Sequence, residues 1–333
     1  VLRSILCLLL ALVAGPASSE GLTPERLGIV YNRNDAASTR IARYYADRRH
    51  IPFPNVVGLA VPDRAVLGRD ELRQVRTALL ERLPSNVQSL LLVWSRPYAV
   101  ECMSVTMAFA AGYLPGYCEP GCAPTKLNPL YDSAGWLPAD TTGWLPAMML
   151  PSADEALARA LIDRGIRADG SHARGTVYLV RTADVARNVR ARHYDDQEAL
   201  LSGRVAVRQM STPIRSTVDA AMGYFTGAIR VDELHLIRFL PGAVADHLTS
   251  TGGALENPRQ MSALDWLRQG ATGTYGTVTE PCNLPGKFPN PGVLMDHYLR
   301  GETLLEAYWK SVAMPGQGLF IGEPLARPYA AGS

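Results

Sequence analysis

The stretch GAVADHLTSTGG, Gly242–Gly253, reads as a buried strand, GAVADHL, that runs into a turn of small residues, TSTGG. In open parallel sheets, ligands and catalytic groups collect at the carboxyl ends of strands. Asp246, His247, Thr249 and Ser250 therefore stand where an α/β enzyme does its chemistry. Whether this strand end is catalytic decides whether the protein is an enzyme.

Working outward, the same strand type recurs on both sides. RLGIVYN (26–32), NVVGLAVP (55–62) and SLLLVWSRPYAV (89–100) are short apolar runs. Between them ASTRIARYYADRRHIP (37–52) and GRDELRQVRTALLERLP (68–84) carry apolar residues at helical spacing. Strands of unbroken apolarity alternating with helices imply a parallel sheet covered on both faces. After residue 151 the alternation resumes. Ser152 and Glu155 form a capping box before ADEALARALIDRG, with Gly165 as its stop. GTVYLVRT (175–182) is a strand, ADVARNVRARHYDDQEALLSG (183–203) a polar helix, and AAMGYFTGAI (220–229) a strand. RFLPGAVADHLTS (238–250) and GATGTYGTVTEP (270–281) are further strands. A helical GVLMDHYLRGETLLEAYWKSV (292–312) and an extended GLFIGEPLARPY (318–329) close the chain. No repeat or linker interrupts residues 20–333, so one α/β domain is the simplest reading.

Residues 112–151 break the pattern. They are rich in Pro, Gly, Trp and Cys, without periodicity, and read as an insertion. At the start of the chain, Arg3 precedes an apolar run and PASSEG, with Ala17 and Ser19 at the small-residue positions of a cleavage site. That is the pattern of a signal peptide over residues 1–19. It implies a secreted or periplasmic protein with no membrane span after cleavage. Removing it takes Cys7 and leaves Cys102, Cys118, Cys122 and Cys282. An even count in an oxidising compartment favours two disulfides, with three connectivities open. Zinc at CEPGC (118–122) is the weaker reading, because no histidine lies near it. The net charge of +2 comes from scattered Arg residues among acids, which excludes a nucleic-acid footprint. No cofactor motif is present: NDAAST (34–39) lacks the glycines of a phosphate loop.

GAVADHLTSTGG, MSALDWLRQGATGTYGTV (261–278), LRGETLLEAYWKSV (299–312) and GLFIGEPLARP (318–328), in roughly the last third of the chain, resemble the C-terminal half of caspase-type cysteine peptidases, above all the gingipain branch. Nearly all of the mature chain, from GIVYN to GEPLARP, resembles an uncharacterised family of secreted bacterial proteins distantly akin to that clan. The resemblance implies a caspase-like three-layer α/β/α fold with a mostly parallel sheet, to which the residues themselves add an insertion over 112–151 tied by disulfides at Cys118 and Cys122. It also places the catalytic histidine of those peptidases at Ala228, in TGAI, and their nucleophilic cysteine at Thr249, in LTSTG. Cys–His catalysis needs a thiolate and an imidazole within hydrogen-bond reach. Neither position supplies one.

A replacement pair remains open. His247 and Cys282 end what the pattern makes adjacent strands, and Glu280 with Ser250 or Thr249 adds acid and hydroxyl groups. The competing reading makes Cys282 half of a disulfide and His247 a satisfied structural histidine. His247 with Asp246 and Glu280 does not have the spacing of a metal motif. Trp136 and Trp144 suit either ligand stacking or a cover for the sheet. Two expectations follow: a binding or structural module with an unknown protein or polysaccharide partner in the envelope, or a hydrolase using His247 with Cys282 or with Ser250/Thr249.

Overall fold

The computed structural model describes residues 21–119, 122–257 and 259–331. The leader read over 1–19 lies outside them. The first strand, β1 (Leu27–Asn32), is followed by α1 (Ala36–Arg49), which Asp35 caps by accepting a hydrogen bond from the Ala37 N–H. Next come β2 (Val56–Leu59), β3 (Val66–Leu67) and α2 (Arg69–Leu80), then β4 (Ser89–Val93). The apolar run at 89–100 therefore does not continue as one strand. It stops before Pro97, which has no N–H to extend a ladder. β5 (Ala99–Val100) and β6 (Met103–Ser104) join β3 in a separate small sheet, and α3 (Val105–Ala111) follows.

The segment read as an insertion is partly core. It contains α4 (Pro138–Thr142) and a main-sheet strand, β7 (Ala147–Leu150), fully buried beside β4. Trp136 donates to Ser89 Oγ at 3.1 Å, and Trp144 packs edge-on against Trp309. Both cover the sheet. α5 (Glu155–Ala168) is capped by Asp154, whose carboxylate accepts from the Leu157 N–H, not by Ser152, which is buried. The helix also runs on through Gly165.

β8 (Thr176–Arg181), a 3-10 turn over Asn188–His193, α6 (Tyr194–Leu201) and β9 (Ala206–Ser211) come next. The polar helix read over 183–203 is thus much shorter. β10 (Val218–Gly227), β11 (Ile237–Leu248), α7 (Leu264–Gln269) and β12 (Gly273–Thr277) lead to α8 (Pro291–Leu299), α9 (Leu304–Ser311) and β13 (Gly318–Gly322). The Thr303–Glu306 capping box starts α9, dividing what reads in sequence as one helical stretch.

Ten strands form one sheet in the order β2-β1-β4-β7-β13-β12-β11-β10-β8-β9. β2, β1, β4 and β7 pair parallel, as do β12, β11, β10, β8 and β9. β13 is antiparallel to β12 and meets β7 at a single bridge, Ile321 with Met149. One bridge sets no direction, but the strand's ends do. Glu323, just past β13, meets Arg49 at the end of α1, while Gln317, just before it, meets Thr279 past the end of β12. Cys102, which follows β4 and β5, accepts from Thr279, and Arg96 pairs with Glu256 beyond β11. The carboxyl ends of both parallel blocks therefore share one edge, and β13 runs against them.

α1, α5 and α7 cover one face, and α2, α3, α6, α8 and α9 the other, giving three layers. Both blocks follow one plan: a central strand, an edge strand beside it, then growth from the opposite side (β1, β2, β4, β7 and β8, β9, β10, β11). Two disulfides, Cys102–Cys118 and Cys122–Cys282, tie residues 102–122 together and to the segment after β12.

Candidate functional site

β10 and β11 pair parallel with Thr226 opposite His247 and Gly227 opposite Leu248. One residue further along each chain, the TGAI and LTSTG turns leave the same edge, so Ala228 and Thr249 are neighbours. Side chains alternate across a strand. Asp246 and His247 accordingly point to opposite faces.

His247 points into the α7 layer and is 1% exposed. The Trp266 indole donates to its Nδ1 at 2.9 Å, and its Nε2 lies 3.1 Å from the Met261 carbonyl. An indole N–H only donates and a carbonyl only accepts, which fixes the neutral tautomer with hydrogen on Nε2. Burial pushes its pKa down to about 4. Both ring nitrogens are engaged, and neither partner is Cys282 or Glu280.

Asp246 points the other way, fully buried, and pairs with the buried Arg190 guanidinium. Burial pushes the Asp246 carboxyl upward, and Arg190 opposes that shift. Arg190 also donates to the carbonyl of Thr226 at 2.6 Å and of Pro289 at 3.2 Å, so it ties the end of β10 to the start of α8. No sequence motif marks this pair, whose members lie 56 residues apart.

Thr249 is 1% exposed. Its hydroxyl donates to Gln260 Oε1 at 2.9 Å and accepts from Arg187 Nε at 3.1 Å; Arg187 in turn pairs with Asp184 at 2.9 Å. The Arg187 backbone lies on the end of β10, where a Cβ at Gly227 would stand 1.8 Å from its carbonyl oxygen. Thr182 donates to the Gly227 carbonyl, and Asn188 accepts from the Thr182 N–H. The crevice between β8 and β10, where an open α/β sheet takes its ligand, is thus filled by the chain's own 182–190 segment.

The remaining candidates are local. Ser250 is half-buried, with its carbonyl accepting from Thr277. Glu280 is exposed and accepts from the Cys282 N–H at 2.8 Å, closing a turn. The Cys282 sulfur is bonded to Cys122. The structure thus brings Ala228 and Thr249 together, and keeps His247 apart from Cys282 and Glu280. Among the described residues no group of three or more His, Cys, Asp or Glu is placed to hold a metal ion. No helix among them is long and apolar enough to cross a membrane.

A second charged cluster escaped the sequence reading. His297 on α8 lies 2.9 Å from Glu302 and 3.0 Å from Asp132, and Lys310, 1% exposed, pairs with Glu302 at 2.8 Å. It fastens residues 130–133 onto α8 and α9. No family model matches the chain, and no curated protein does.

Proposed function

We infer that the protein is an exported binding module of caspase-like architecture in which the peptidase dyad positions serve packing. The single observation behind this reading is the state of Thr249. Its hydroxyl is covered and held between Arg187 and Gln260, with Ala228 beside it. A hydroxyl nucleophile needs an adjacent base to take its proton. Here the proton goes to an amide oxygen and the guanidinium occupies the lone pair. The disulfides fit an oxidising compartment. The partner class is an envelope protein or polysaccharide.

The test is to incubate mature protein with peptide libraries and with thiol- and hydroxyl-reactive probes. No cleavage and no labelling are expected, in wild type and in Thr249→Ala alike. Turnover that disappears in Thr249→Ala, Ser250→Ala or His247→Ala would restore the hydrolase reading.

A further inference from the structure

A cavity of about 340 Å³ opens between α2 and the segment after α3. Arg69, Arg73 and Arg76 line one wall, spaced four and three residues apart so that they share a face of α2. Gly112, Tyr113 and Pro115 form the other wall, and Leu72 contributes an apolar surface. The Cys102–Cys118 disulfide closes the loop that carries this second wall.

The charges do not cancel. Arg69 pairs with Glu101 at 2.7 Å and Arg73 with Asp70 at 2.6 Å. Arg76 meets no carboxylate: its Nε and Nη2 donate to the carbonyls of Phe109 and Ala110, at 3.0 and 3.2 Å. Burial alone acts on this guanidinium, drawing its pKa down. Capping α3 explains two of its donor atoms and leaves Nη1. That atom makes no hydrogen bond to a described residue, is not among the buried unpartnered atoms, and belongs to a residue that lines the cavity.

We propose that this groove is a carboxylate subsite for an acidic sugar of a polysaccharide. Three guanidinium groups against two carboxylates leave one positive charge, which matches a monoanion. A phosphate dianion would put surplus negative charge beside Asp70 and Glu101. The guanidinium fork matches a planar carboxylate in two parallel hydrogen bonds. Arg76 Nη1 and Arg73 grip the carboxylate, and the sugar ring rests on Pro115 beside Tyr113, whose own ring is already stacked by Arg69 at 4.3 Å. A peptide is disfavoured, because neither wall is a strand edge onto which an extended chain can add. The inference deepens the binding-module reading and rests on it for the kind of partner.

Calorimetric or NMR titration of the mature protein tests it, with D-glucuronate as probe and D-glucose, N-acetylalanine and inorganic phosphate as comparison arms. Saturable binding of glucuronate is expected, with none for glucose. Arg73→Glu should weaken it at least about tenfold, and Arg76→Lys, which keeps the charge but loses the fork, should also weaken it. Arg73 is exposed, so its variant decides the matter if the Arg76 variant misfolds. Three results would overturn the proposal: no saturable glucuronate binding, unchanged binding in Arg73→Glu, or tighter binding of phosphate or N-acetylalanine. Peptide cleavage in the earlier assay would defeat the binding-module reading while leaving these titrations untouched.

Discussion

Trp266 and His247 hold each other in place: the indole N–H of α7 is donated to Nδ1 of a ring that β11 presents from the sheet. Because that ring is neutral and buried, it makes stability depend on pH. The folded pKa, about 4, lies below the ordinary 6.5. The unfolded chain therefore binds the extra proton first. The contribution is fully present above about pH 6.5 and is lost as pH falls toward 4, on the order of 3 kcal/mol in all. Denaturation of wild type and His247→Gln across that window should show a shallower acid limb in the variant. Trp266→Phe should cost about 1–2 kcal/mol by leaving Nδ1 unpaired.

Gly165 meets the Glu323 carboxylate. A Cβ there would stand 2.4 Å from Oε2 and 2.7 Å from Cγ. Glu323 cannot easily yield, because Tyr45 donates to it at 2.6 Å and Arg49 pairs with it. Gly165→Ala should therefore destabilise by roughly 1–3 kcal/mol despite the better helix propensity of alanine. Gly68→Ala, whose Cβ finds only Glu71 Oε2 at 3.5 Å, is the clash-free comparison and should cost less, the N-cap preference of glycine over alanine amounting to about 0.5–1 kcal/mol.

The two disulfides differ in span, 16 residues for Cys102–Cys118 and 160 for Cys122–Cys282. Loop-closure entropy assigns about 3 kcal/mol to the first and about 5 to the second. Paired Cys→Ser variants, unfolded in urea, should rank in that order. The opposite ranking would mean that native contacts, not chain entropy, set the effect.

Glu302 tests the cluster beneath residues 130–133. Burial would raise its carboxyl, but hydrogen bonds from His297 and Lys310 hold it below the ordinary value of 4.5. Its contribution is present above about pH 4.5 and is lost as pH falls through the lowered value. Glu302→Gln should flatten the stability profile below pH 4.5 and speed amide exchange at Tyr131–Ser133. An unaltered acid limb would argue against the cluster.

The apolar strands β1, β4, β8 and β12 were legible because both faces of each are covered, so nearly every residue is hydrophobic or small. β7 was not. Its four residues, Ala-Met-Met-Leu, include no β-branched or aromatic side chain and sit at the end of a Pro/Gly-rich stretch. Gly165 reads as a helix stop because glycine usually marks one, whereas here it admits a carboxylate from 158 residues away. Ser152 satisfies the capping pattern, yet Asp154 takes the cap. At the candidate site, the adjacency of Ala228 and Thr249 followed from the strand pattern and the resemblance. What closes that site did not, because Arg187, Gln260 and Trp266 come from segments whose approach is set by packing. The pairing of the four cysteines was likewise open until the loops were placed.

Among the described strands, the one at the centre of the sheet comes after all the others in sequence order, and so is made after them. Until β13 is made, β7 and β12 each present an open row of backbone donors and acceptors, and such rows invite pairing with other chains. A chain that stopped before Gly318 would keep every other described strand of the sheet and still lack the one that joins them. Its two parallel blocks would face outward as unsatisfied edges, and self-association, not simple unfolding, is how that loss would appear.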